Sequence, residues 1–129
     1  MLRYPNDLQF KYEYGLLLFE HERYTEAIAQ LQQAQRNPQR RQRALYYLAL
    51  CFERKGQLDI AAEQLQKALS EMAAADESRK DVLYELGTLY EKMGDAQKAM
   101  ECFKEIYAVD ISYRDVAQKV ERKNNPASA

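Results

Sequence analysis

A spaced set of small and large apolar residues recurs along this chain. It reads Tyr14-Gly15, Leu18, Tyr24, Ala27, Leu31, Ala34; then Leu48-Ala49, Phe52, Leu58, Ala61, Leu65, Ala68; then Leu86-Gly87, Tyr90, Ala96, Ala99, Phe103, Ile106. Gly15 to Ala49 and Ala27 to Ala61 are each 34 residues apart, and Ala49 to Gly87 and Ala61 to Ala99 are each 38 apart. A period of that length fits a helix-turn-helix unit, and a unit that cannot bury its apolar face alone must stack on its neighbours. The small residues belong where two helix backbones approach, and Leu31, Leu65 and Phe103, one turn beyond the alanines, fill the space beside that crossing.

The leucine-glycine pair, the aromatic three residues on and the spaced alanines resemble the tetratricopeptide repeat family over about residues 8–113. The resemblance implies an all-α solenoid of three helix pairs, at about 8–41, 42–75 and 80–113, with a capping helix at about 112–123 and a tail at 124–129. It implies a single repeat domain across the chain.

Local signals predict the helices independently. Pro5-Asn6-Asp7 offers a stop and a cap for a first helix ending near His21, and a second runs from Tyr24 or Thr25 to just before Asn37-Pro38. A third spans about 39–54 and stops at Lys55-Gly56, and a fourth spans about 58–75. The four extra residues of the second interval are assigned to one added turn of this fourth helix, with 76–78 starting the next; a looped insertion is the alternative. Lys92-Met93-Gly94-Asp95 divides the fifth helix from the sixth. Ser112 and Asp115 resemble a capping box, followed by an amphipathic helix with Tyr113, Val116, Ala117 and Val120 on one face. That helix is expected to cover the third repeat. Leu2-Arg3-Tyr4-Pro5 resembles the end of a preceding repeat, so the natural protein is expected to continue upstream and to expose an end able to self-associate. Lys11 stands where later repeats have Leu45 and Leu83.

Composition narrows the function. The 129 residues are 47% hydrophobic and 30% charged, with a net charge of -1, which does not steer toward nucleic acid or an anionic membrane. No apolar run reaches the roughly 20 residues of a membrane span, and the start has no signal-peptide pattern. A soluble segment is expected, with the cytoplasm the favoured compartment. The repeat register places Cys51 with Leu17 and Leu89, hence buried, and Cys102 with Gln30 and Gln64, hence exposed. This argues against a disulfide, and one histidine with two separated thiols does not make a metal site. His21 reads as a solvated or capping residue beside Glu20 and Glu22, and no phosphate loop or nucleophile motif is present. No cofactor and no catalysis are expected.

In the family resembled, the first helices of successive repeats line a groove that contacts the partner. Carried onto this sequence, Tyr12, Tyr46 and Tyr84 fall in register, followed one turn on by Leu16, Leu50 and Thr88, then by Phe19, Glu53 and Glu91, and by Glu20, Arg54 and Lys92. The resemblance thus implies a partner-binding groove of Tyr12, Leu16, Phe19, Tyr46, Leu50, Glu53, Tyr84 and Thr88, suited to an extended peptide or a helix. Tyr14, Tyr24, Tyr90 and Tyr107 are expected to be packing residues. Some relatives grip a C-terminal carboxylate with basic and amide side chains; the matching places here hold Tyr12, Leu16, Tyr47, Asp81 and Glu85, which cannot do so. Arg36, Arg40, Arg41 and Arg43 read as a solvated basic turn, with contact to phosphate or an acidic partner as the alternative.

Overall fold

The computed structural model describes residues 7–124, and these contain seven α-helices and no strand. They are α1 (Leu8–Glu20), α2 (Tyr24–Ala34), α3 (Arg41–Arg54), α4 (Leu58–Glu71), α5 (Arg79–Lys92), α6 (Ala96–Val109) and α7 (Val116–Asn124). The 2–5 segment and the tail beyond residue 124 lie outside the described residues.

Two compact units divide after Met72. In the first, α1 packs on α2 and α3 on α4 as helix pairs, α2 packs on α3, and α1 touches α3 directly. In the second, α5 packs on α6, and α6 on α7. Each core is built from the repeated positions: Ala27, Leu31, Ala61 and Leu65 in the first unit and Ala99, Phe103 and Ile106 in the second are all buried. The two glycines of the first helices show why the register needs small residues. A Cβ at Gly15 would lie 2.9 Å from Leu31, and one at Gly87 would lie 2.8 Å from the Phe103 ring. The large residues therefore sit on top of the glycines rather than beside them.

Every helix pair turns its corner through the same bonds. Arg23 N–H donates to Leu18 O, Gln57 N–H to Phe52 O and Asp95 N–H to Tyr90 O, the long bond of a Schellman stop. The corner needs one residue in the left-handed region. Gly56 (φ 79°) and Gly94 (φ 81°) supply it, but the equivalent residue of the first repeat is Glu22, at φ 62°. A side chain in that region costs about 1 kcal/mol, so the first corner is held under strain that the others avoid.

The joints between repeats share a device too. Asn37, Asp76 and Asp110 each accept from the backbone N–H two residues on, at Gln39 (3.1 Å), Ser78 (2.9 Å) and Ser112 (3.2 Å). These side-chain turns fix where the next helix begins. They also explain two corrections. The fourth helix ends at Glu71 and not near residue 75, because Met72 turns to an extended conformation (φ -97°, ψ 142°) and is buried. Still, α4 has 14 residues against 11 in α2, so three of the four extra residues lengthen the helix and one enters the linker. The second correction concerns the capping box. Ser112 bonds to Asp110 and Asp115 accepts from Tyr84, so the box does not form, and α7 starts at Val116. Val116 and Val120 are buried, as expected of a helix that covers the third repeat; both lie 34 residues after Val82 and Leu86, the corresponding places on α5.

Three burial expectations are corrected as well. Cys102 is 7% exposed: a glutamine at this position reaches past the helix shoulder to solvent, whereas a short thiol does not. Tyr14 is 40% exposed and Leu17 is 50% exposed, and together with Phe10 (58%) they form a stripe along one face of α1. Their equivalents on α3 are Ala44, Leu48 and Cys51, which are buried where α2 packs on that helix.

Candidate functional site

The residues expected to meet a partner occupy the first helix of each repeat. In the first unit Tyr12, Leu16 and Phe19 follow one another along α1, and Tyr46, Leu50 and Glu53 do the same along α3. All six are half-buried, and the direct contact between α1 and α3 makes their two rows neighbours. The edge of the Phe19 ring meets Tyr47 of α3 with centroids 5.5 Å apart, and Arg54 of α3 lies over Phe19 at 5.2 Å. The two rows are thus stitched into one surface, aromatic at one end, aliphatic in the middle and charged at the other.

The run of arginines at the start of α3 is not a uniformly solvated turn. Arg41 forms a two-pronged bond to Glu71 at the end of its own helix pair (2.7 and 2.8 Å), which holds the Glu71 carboxyl below its ordinary range. At the matching place in the second unit Arg79 Nε donates to Glu105 (2.7 Å). Arg40 instead reaches back over the Tyr12 ring at 5.5 Å while its Nε donates to Gln9 (2.9 Å). Arg43 lies over Tyr46 at 4.9 Å and Tyr47 at 5.4 Å. Sequence reasoning missed this stacking, although the signal was there: Arg43 precedes Tyr46 by three and Tyr47 by four residues, the spacing at which helical side chains meet.

Tyr84 and Thr88 of α5 occupy a different setting. The Tyr84 hydroxyl donates to Asp115 (2.7 Å), and its ring packs against Phe103 (5.6 Å) and Tyr113 (5.9 Å), with Arg114 over it at 4.8 Å. Burial first, then the Asp115 carboxylate, pushes the phenol up to about 12. Tyr113 in turn donates to Asp81, which also has Arg114 at 3.7 Å. The Thr88 hydroxyl donates to the Tyr84 carbonyl (2.9 Å).

Nothing among the described residues resembles a reaction centre. No group of three or more His, Cys, Asp or Glu converges on a metal position. Burial raises the Cys51 thiol to about 11 and Cys102 to about 12, so both stay protonated and weakly nucleophilic. His21 closes α1, its Nδ1 2.9 Å from the Leu17 carbonyl. A pocket of about 200 Å³ in the second unit, walled by Ala74, Leu83 and Val109, has its rim charges paired internally as Arg79–Glu105 and Lys80–Asp110. That is smaller than the roughly 300 Å³ at which small-molecule sites begin. No helix is long and apolar enough to cross a membrane among the described residues.

The sequence pattern of the tetratricopeptide repeat matches residues 2–40 and 12–80, and a second pattern of the same repeat matches 81–110. The chain belongs to the tetratricopeptide repeat family. Such repeats are protein-protein interaction modules and are generally non-catalytic. No curated protein matches the sequence. Among solved structures, MamA superposes with a TM-score of 0.80 at 19% identity, over 96% of this chain and 71% of that one. The first tetratricopeptide repeat domain of Spaghetti (RPAP3), bound to HSP90 peptide SRMEEVD, gives 0.75 at 12% identity, over 95% and 94%. The putative kinesin light chain of Podosopora anserina gives 0.66 at 19%, over 98% and 63%. At these identities the likeness is one of fold.

Proposed function

We propose that this tetratricopeptide repeat protein is a non-enzymatic interaction module that holds a peptide or helical segment of another protein against its first helices. The contact residues are Tyr12, Leu16 and Phe19 of α1 and Tyr46, Leu50 and Glu53 of α3, with Tyr84 and Thr88 as the corresponding positions of the second unit. One observation carries this reading: the two rows of the first unit are half-buried, contiguous and held in place by their own packing. A surface ordered before binding loses little entropy when a segment lands on it. Tyrosine suits the task because its ring supplies contact area and its hydroxyl a polar handle. The RPAP3 neighbour, bound to a peptide, supports the reading by analogy of fold. Tyr46→Ala tests it: partners recovered with the parent protein should bind the variant about 1–3 kcal/mol more weakly by calorimetry, at unchanged helicity. Equal binding would show that the partner lands elsewhere.

A second reading has its own observation. The Phe10, Tyr14 and Leu17 stripe exposes on α1 what the α2–α3 contact buries on α3, and it could join two copies or receive a further repeat. Sedimentation across a concentration range, with Leu17→Glu as the control, tests it. A monomer at every concentration removes self-association.

A further inference from the structure

The arginines of the chain differ in what neutralises them. Arg23, Arg41, Arg79 and Arg114 each have a carboxylate within salt-bridge distance: Glu26, Glu71, Glu105 and Asp81. Among the described residues no carboxylate lies that close to Arg40 or Arg43. Both guanidiniums lie over tyrosine rings of the α1/α3 surface, Arg40 at 5.5 Å from Tyr12 and Arg43 at 4.9 Å from Tyr46. Stacking occupies the face of a guanidinium and leaves edge N–H groups free, in the fork geometry that grips a carboxylate. Arg40 uses its Nε on Gln9, and Arg43 makes one long contact, 3.5 Å to the Tyr47 hydroxyl. Most of their N–H groups are thus left without a carboxylate among the described residues.

The register shows that this charge is a local choice. Gln9, Arg43 and Asp81 occupy one position of the repeat, 34 and 38 residues apart. Repeat two has a cation where repeat three has an anion, and that anion is already bonded to Tyr113 and Arg114. Unpaired positive charge therefore collects at the start of α3.

Resting on the interaction reading above, we infer that the segment held by the α1/α3 surface is an acidic stretch of a partner protein. Its Asp or Glu side chains meet Arg43 and Arg40, and apolar side chains beyond them meet Leu16 and Leu50. A nucleic acid fits less well. Its charge continues along the whole strand, whereas the far end of this surface mixes Glu53 and Glu20 with Arg54 and the chain as a whole is at -1. The recognition is of side chains within a segment, since the positions that grip a terminal carboxylate elsewhere are filled here by Tyr12, Leu16 and Tyr47.

The test is an array of short synthetic peptides of random sequence, probed with the parent, Tyr46→Ala, the double variant Arg40→Gln/Arg43→Gln, and Arg43→Glu, each verified for helicity. The parent should select peptides with acidic residues next to apolar ones, and affinity for the best of them should fall at least roughly tenfold in the double variant, the scale of a charge-assisted hydrogen bond. Arg43→Glu should shift selection toward basic peptides. Selection of apolar peptides without acidic preference, lost in Tyr46→Ala, overturns the inference and leaves the interaction surface standing. Acidic preference that survives the double variant also overturns it, as does displacement of the best peptide by an equal concentration of oligouridylate. If the parent selects nothing, both readings fail.

Discussion

On α3, Tyr46 lies beneath the Arg43 guanidinium, which has no carboxylate within salt-bridge distance among the described residues, whereas on α5 the residue in the same register, Tyr84, gives its hydroxyl to Asp115 and packs against Tyr113. The backbone positions are equivalent, and what surrounds Tyr84 is supplied by the segment that succeeds its own helix pair. The linker after α6 brings Tyr113, Arg114 and Asp115 onto Tyr84, with Arg114 in the left-handed region (φ 43°) to make the turn. A repeat position is thus a location and not a role. Its chemistry is set by neighbours that the repeat pattern leaves unspecified.

The contrast is most directly broken at α7. Val116→Asp would bury a carboxylate beneath that helix and should cost more than about 3 kcal/mol, seen as a large drop in the thermal midpoint. If α7 and its linker are what make Tyr84 different, the variant should also bring the Tyr84 phenol back toward its ordinary value in an alkaline absorbance titration. A phenol still near 12 would mean that the contrast arises elsewhere.

The glycines sharpen the comparison at the next scale. Gly87→Ala should destabilise by roughly 1–3 kcal/mol, because the Phe103 ring must move as a body to admit a Cβ. Gly15→Ala meets Cγ and one Cδ of Leu31, two atoms against three of the ring, and should cost less. Equal midpoints for the two variants in chemical denaturation would show that ring and aliphatic neighbour yield alike.

Tyr84 predicts a pH dependence of known sign. Its folded value lies above the ordinary phenol value of 10, so between about 10 and about 12 the unfolded chain sheds the proton and the folded chain keeps it. Its contribution is complete below pH 10 and is lost as pH rises to about 12. Tyr84→Phe should flatten that part of the stability profile and cost about 1 kcal/mol at neutral pH through the lost bond to Asp115. The smallest expected effect is a gain: Glu22→Gly should stabilise by about 0.5–1 kcal/mol by relieving the left-handed corner. An unchanged or lower midpoint would show that Glu22 is not strained.

How far these features could be read from the sequence depended on their range. The helices, the stacking of alanines under Leu31 and Leu65 and the burial of Val116 and Val120 follow from periodicity, which a single chain displays in full. Cys102 misled because the repeat places the backbone while side-chain length decides whether an atom reaches water. Asp115 misled for a related reason: its spacing from Ser112 suits a local cap, but a phenol 31 residues back competes for it and wins. The candidate surface was legible as a register of tyrosines. Its charge was not, since sequence gives no sign that Arg41 finds Glu71 while Arg43 finds only aromatic rings.

The strained corner at Glu22 also shapes how the first helix pair breathes. Amides just beyond it, at the start of α2, should exchange with solvent sooner than their counterparts after Gly56 or Gly94, because local opening there releases energy that the other corners never stored. Tyr12, Leu16 and Phe19 ride on the same hairpin. A segment settling on them would slow that opening, so occupancy of the candidate surface could be followed by deuterium uptake at the start of α2.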